Sequence, residues 1–91
     1  MKTGVYILRS YKNNRYYIGS TTNVDQRLRE HRLGKVKSTK GMLPLELAVF
    51  IPCDTPTEAR RAEKRLKNYK RRDIIELVVR DREFPWEHKS E

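Results

Sequence analysis

A chain of 91 residues, 36% hydrophobic and 36% charged, is sized for one domain around a single modest core. It holds no run of about 18 apolar residues that would span a membrane, and its one cysteine, Cys53, excludes an internal disulfide. Twenty-one Lys and Arg against twelve Asp and Glu leave a net charge of +9, a balance that favours phosphate-rich partners through counterion release. An anionic membrane surface is the rival, but no basic helix carries the continuous bulky apolar face needed to lie in one. Nucleic acid is therefore the expected partner, and no membrane association is expected. The first β-rich run begins a few residues after Met1, so no signal peptide is expected. With the single thiol, this predicts a cytoplasmic, reducing setting. No Cys/His cluster has zinc-ligand spacing.

Two β-rich runs, Gly4 to Tyr11 and Arg15 to Gly19, flank a polar break at Lys12-Asn13-Asn14. An Asn-Asn pair tolerates the positive φ angles of tight hairpin turns, so a two-residue turn at Asn13-Asn14 is expected. That turn pairs Tyr11 with Tyr16, Ser10 with Tyr17 and Leu8 with Gly19. Alternation then puts Tyr6, Leu8, Ser10, Tyr17 and Gly19 on one face and Val5, Ile7, Tyr16 and Ile18 on the other. The second face is apolar and belongs to a core. The first carries two phenols beside a bare glycine. Tyrosines on small sheets are commonly packing residues, and in this register Tyr6 lies about 13 Å along the strand from the partner of Tyr17.

Thr22-Asn23-Val24-Asp25 fits a Ser/Thr-x-x-acid capping pattern, predicting a helix from near Asn23 to Gly34. Val24, Leu28 and His31 share one face of it, with Arg27 at the edge. By itself His31 reads as a half-buried core histidine and Arg27 as a solvated helix charge, yet both sit on the helix that follows the glycine-ended strand. Residues 35–43 form a basic loop in which Lys37 and Lys40, beside Ser38, Thr39 and Gly41, suit phosphate contact. Leu45 to Ile51 reads as a third strand, apolar enough to be central and covered on both faces.

Thr55 as N-cap and Pro56 at the first helical position open a second helix, whose buried stripe is Ala59, Ala62, Leu66 and Tyr69. Residues 60–72 hold eight Lys or Arg and a single acid, Glu63. That acid falls about 40° from Ala59, at the edge of the inward face. An i,i+4 ion pair with Lys67 is the plain alternative for it. The outward cations, Arg60, Lys64 and Arg71 among them, suit a duplex backbone, and Lys67 joins them as a candidate nucleic-acid contact. A short third helix runs from Asp73 to Arg80, with a strand as the alternative for its β-branched run. Phe84-Pro85-Trp86 in the tail is placed to cover an edge of the core, ahead of a polar end expected to fray.

Taken together, these residues resemble the GIY-YIG nuclease domain over residues 4 to about 79. Gly4-Val5-Tyr6 and Tyr17-Ile18-Gly19 stand for the two named motifs. Asn23, Arg27 and His31 follow in the family's order, and Ala59, Glu63 and Lys67 match its Ala-x-x-x-Glu-x-x-x-Lys context. The compact length is similar to stand-alone bacterial members, relatives of the modules in excision-repair and Holliday-structure enzymes. The resemblance implies an α+β fold: a small three-stranded antiparallel sheet flanked by about three helices, with a nuclease domain over residues 1–80 and a tail over 81–91. It implies an endonuclease that hydrolyses a DNA phosphodiester with one Mg²⁺ (or Mn²⁺), weakly sequence-specific or structure-selective, in DNA repair or recombination. A non-catalytic nucleic-acid-binding module of the same fold is the alternative, and RNA is the less favoured partner. Carried over by motif, Glu63 is the metal ligand and Tyr6 the acceptor of the water's proton, with Tyr17 orienting that water or exchanging roles with Tyr6. Arg27 holds the scissile phosphate, His31 relays a proton or bonds the phosphate, and Lys67 adds positive potential. Neither a protein partner nor a homodimer is specified.

Overall fold

The computed structural model describes residues 2–87. Three strands, β1 (Gly4–Ser10), β2 (Tyr16–Thr21) and β3 (Leu45–Pro52), form one antiparallel sheet in the order β2-β1-β3. Three helices pack on it: α1 (Val24–Arg32), α2 (Pro56–Tyr69) and α3 (Arg72–Asp81). Two 3₁₀ turns, Lys40–Met42 and Pro85–Glu87, complete the described residues. This is the α+β architecture expected from the sequence. No helix among the described residues is long and apolar enough to cross a membrane.

The strand expected to be central, β3, is an edge, and the central place belongs to β1. Five consecutive β1 residues from Gly4 to Leu8 are buried. Both apolar runs suit a central strand, so hydrophobicity alone did not rank them. Gly4 lets β1 close on its neighbour: a Cβ there would lie 2.8 Å from Pro52 Cα and from the Phe50 ring. One β-bulge, between Ile7 and Leu8, shifts the β1–β3 register.

Alternation along β1 builds two cores. Val5 and Ile7, with Val49 and Ile51, meet Ala59, Ala62 and Leu66 of α2 and Ile75 and Val78 of α3. Tyr6 and Leu8 face the other way, toward Val24 and Leu28 of α1 and toward Met42 and Leu43. Fully buried side chains such as Ile7 and Leu66 each contribute roughly 1.5–3 kcal/mol. Phe84 joins the first core, stacks on Trp86 with centroids 4.7 Å apart, and Arg65 lies 4.3 Å over the Trp86 ring. The residues expected to cover a core edge therefore do so. The expected fraying concerned residues outside those described.

Helix starts follow the capping chemistry with one change. Thr55 accepts a hydrogen bond from the Glu58 amide at 3.1 Å, a cap worth about 1 kcal/mol. On α1 the cap is Asn23, whose side chain accepts from the Gln26 amide at 3.2 Å. Thr22 does not cap the helix, and Asp25 pairs with Lys2 at 2.7 Å.

The hairpin departs from the expected two-residue turn. Its loop runs from Tyr11 to Arg15: the Ser10 amide donates to Arg15 O and the Asn14 amide to Ser10 O, both at 2.9 Å. Ser10 Oγ accepts from the amides of Lys12 (3.1 Å) and Asn13 (3.3 Å), and Asn14 takes the left-handed conformation at φ 61°. The strands consequently pair two residues out from the expected register, Tyr6 with Gly19 and Leu8 with Tyr17. A shift of two preserves every face assignment, because side chains alternate with period two.

Candidate active site

That shift is what brings the two phenols together. Tyr6 and Tyr17 lie on one face, one pairing step apart, with ring centroids 6.4 Å apart. Gly19, directly across from Tyr6, supplies the space. A Cβ there would collide with the Tyr6 hydroxyl and stand 2.5 Å from Cζ. The sheet backbone is thus bare where the Tyr6 phenol lies across it.

His31 comes up from α1 beneath both rings, 5.4 Å from Tyr6 and 5.3 Å from Tyr17. It is fully buried, and both ring nitrogens are engaged: Nε2 with Tyr6 Oη at 2.9 Å and Nδ1 with Thr39 Oγ1 at 2.7 Å. The network assigns the tautomer. Thr39 donates its proton to Val36 O at 3.4 Å, so its oxygen accepts from Nδ1–H. Tyr6 Oη already receives Arg27 Nε at 3.4 Å, leaving its own proton for the bare Nε2. Burial, aided by the Arg27 charge, lowers His31 to about 4, so the ring is neutral. The ring has no exposed face, and both of its nitrogens are engaged within the protein.

Burial pushes the Tyr6 phenol above its ordinary value, opposed by the hydrogen bond from Arg27. Arg27, at the edge of α1, divides its guanidinium between Tyr6 and Glu30, whose carboxylate accepts NH1 at 3.0 Å.

Glu63 arrives from the opposite face. Its side chain is 21% exposed, with Oε1 accepting from Ser20 Oγ at 2.6 Å and Oε2 from Lys67 Nζ at 2.6 Å. Ser20 follows Gly19 on β2 and pairs with Val5, so it points toward α2 where Gly19 faces α1. Because β2 is an edge strand, the two half-sites meet around its open side. Lys67 ties them together, with Nζ 5.9 Å over the Tyr17 ring. The ion pair anticipated from i,i+4 spacing exists, and the same carboxylate is also anchored to the glycine-ended strand.

Among the described residues no group of three or more His, Cys, Asp or Glu is placed to cage a metal ion. Glu63 nonetheless suits Mg²⁺ or Mn²⁺, which keep several waters and accept one or two carboxylates plus substrate oxygens. Ser20 fixes Oε1, while Oε2 is held by an exposed ammonium that can swing aside.

Of the candidate nucleic-acid contacts, Lys67 and Arg71 line a trough beside Tyr17. Lys37 and Lys40 are exposed in the loop before β3, and Arg60 and Lys64 are exposed on α2; none of these four lines that trough. Ser20 was missed from the sequence, and Thr39, expected there to suit phosphate contact, is instead fully buried against His31. Their partners lie 43 and 8 residues away, and a hydroxyl residue in a polar segment carries no periodic signal.

A family model described as the GIY-YIG catalytic domain matches residues 2–75. The chain is 36% identical over 81 residues to a UPF0213 protein of Cronobacter sakazakii, covering 88% of this chain and 84% of that one. It is 39% identical over 75 residues to a UPF0213 protein of Halalkalibacterium halodurans, covering 81% and 79%. The UPF0213 protein YhbQ of Escherichia coli is 35% identical over 81 residues, covering 88% and 80%. No solved structure matches the chain significantly.

Proposed function

Because the chain belongs to the GIY-YIG family, a family of nuclease domains, we propose that it is a divalent-metal-dependent DNA endonuclease. In this reading it is weakly sequence-specific or structure-selective and serves DNA repair or recombination. One observation carries the proposal: Glu63, Arg27 and Tyr6, from three separate segments, are linked around the Gly19-Ser20 step by Ser20, Lys67 and the two tyrosine rings. The half-buried free thiol of Cys53 is compatible with a reducing, cytoplasmic setting.

Glu63 would hold the ion, Mg²⁺ or Mn²⁺, once Lys67 releases Oε2. When bound, that ion supplies Lewis-acid stabilisation of charge on the phosphate. Arg27 exchanges Glu30 for a phosphate oxygen and stabilises the charge that grows there. Removing one such donor typically costs about 10²–10³ in rate. Tyr6 takes a proton from the attacking water as its own moves to Nε2 of His31, an uphill transfer for a ring of such low basicity, so that proton returns through Tyr6 to solvent once the bond to phosphorus has formed. The hydroxide so formed attacks phosphorus while the bond to the leaving oxygen breaks. Tyr17 orients the water, and Lys67, freed from Glu63, adds positive potential at the phosphate.

The test is nicking of supercoiled and branched DNA by the purified protein with Mg²⁺ or Mn²⁺, alongside Glu63→Gln. Nicking that Glu63→Gln abolishes while DNA binding persists supports the enzyme. The alternative, a module that clamps DNA without cutting it, draws on the two ion pairs that occupy the site, Glu63–Lys67 and Arg27–Glu30. Wild-type binding without nicking under any divalent ion would select that alternative.

A further inference from the structure

A trough of about 460 Å³ runs along the outer edge of β2, between the hairpin loop and the α2–α3 junction. Among the described residues five cations line it, Arg15, Lys67, Lys70, Arg71 and Arg72, of which Lys67, Arg71 and Arg72 are paired with Glu63, Asp73 and Glu76 at its margin. Arg15 ends the hairpin loop, and Lys70 turns the chain from α2 to α3 in the left-handed conformation at φ 52°. Both are exposed. The wall between them holds Tyr16 and Tyr17, half-buried, with the Arg72 guanidinium 4.8 Å from the first ring and Lys67 Nζ 5.9 Å from the second.

A cationic groove interleaved with aromatic rings is the architecture that holds single strands, because phosphates track the charge while bases stack on the rings. Duplex backbone needs the cations but not the rings. Lys67 and Tyr17 belong to both the trough and the candidate active site, so the two are continuous.

We infer that this trough carries a single DNA strand away from the cleavage position, its phosphates on Arg15, Lys70 and the neighbouring arginines and its bases against Tyr16 and Tyr17. The substrate class is then DNA in which a duplex gives way to a single strand at the scissile phosphate, such as a flap, fork or overhang. The inference rests on the endonuclease reading, and it moves the main contact surface from the outer side of α2 and the 35–43 loop to the β2 edge.

Binding of labelled oligo(dT), blunt duplex and flapped duplex is measured by anisotropy across a salt titration, in a Glu63→Gln background so that nothing is cut. Arg15→Gln with Lys70→Gln is compared with Arg29→Gln and Arg32→Gln, which remove the same charge from exposed positions of α1. The trough pair is expected to weaken oligo(dT) and flap binding at least about tenfold and to reduce the salt slope by about 1.4, at roughly 0.7 per single-strand phosphate contact. The α1 pair is expected to leave both nearly unchanged. Equal losses from the two pairs, or a blunt duplex that binds as tightly as the flap, would overturn the trough. Thermal melts of each variant report that the fold is kept. A wild-type protein that binds flaps through the trough but never cuts them would overturn the endonuclease reading and leave the trough standing.

Discussion

Gly19 sits directly across the β1–β2 ladder from Tyr6, and the phenol of Tyr6 fills the space that any side chain at position 19 would need. The glycine is thereby coupled to the Tyr6–His31 bond, since pushing the ring aside also moves Oη from Nε2. Gly19→Ala is expected to lower cleavage at least about a hundredfold while costing about 1–3 kcal/mol of stability, the usual range for overpacking. Cleavage rates beside urea melts check it. Full activity in a stably folded Gly19→Ala protein would show that the position of Tyr6 is unimportant.

Ser20 is expected to matter through Glu63. Among the described residues its hydroxyl is the one neutral donor on a carboxylate whose other oxygen is bound to an exposed ammonium. Ser20→Ala should raise the divalent-ion concentration needed for half-maximal cleavage by about 10–100-fold, the usual cost of losing an outer partner of a metal ligand. Ser20→Thr, which keeps the hydroxyl, should restore it. An unchanged metal dependence in Ser20→Ala would mean that Glu63 is positioned by α2 alone.

The faces of the hairpin were legible in the sequence, and its register was not. Alternation from Val5 to Leu8 and from Tyr16 to Gly19 reads directly, because a strand's period is two. The register depended on the turn. There the Ser10 side chain captures the Lys12 and Asn13 amides and lengthens the loop, a competition that an Asn-Asn pair does not announce. The error was even, so Tyr6, Tyr17 and Gly19 stayed together. Strand order was hidden for a different reason: β1 and β3 are both apolar, and only packing of helices on each face ranks them. On the helices, the Ala59–Leu66 stripe and the single acid among eight cations set Glu63 at the sheet-facing edge. The roles of Thr39 and Ser20 became visible only through contacts made across the fold.

Thr39 is the residue whose removal best tests the tautomer. Its oxygen accepts the Nδ1–H of a fully buried histidine. Thr39→Val keeps the shape and deletes the acceptor, leaving that N–H unpaired or moving the proton to Nε2. The first costs about 1–3 kcal/mol; the second turns Nε2 into a donor toward Tyr6. The expected result is destabilisation in this range together with a fall in kcat, with DNA affinity nearly unchanged. Thr39→Ser should recover both. The ¹⁵N shifts of the His31 imidazole, assigned against His31→Gln, give the tautomer directly, and an Nε2–H form of His31 in the wild type would refute the assignment.

A neutral His31 also links stability to acid. Its folded value of about 4 lies below its ordinary 6.5, with burial the main cause and the Arg27 charge second, against an opposing contribution from Glu30. Above pH 6.5 both folded and unfolded chains carry the neutral ring, and the contribution is fully present. As pH falls from 6.5 toward 4 the unfolded chain gains a proton that the fold refuses, so stability is lost across this window and the loss levels off below it. The total is about 3 kcal/mol. Asp25 and Asp73 are held low by Lys2 and Arg71, so those two carboxylates titrate beneath most of the window. Urea unfolding at stepped pH should show the slope in the wild type and lose it in His31→Gln. A His31 imidazole that titrates near 6.5 in the folded protein would mean that the Tyr6–His31–Thr39 chain does not persist in solution.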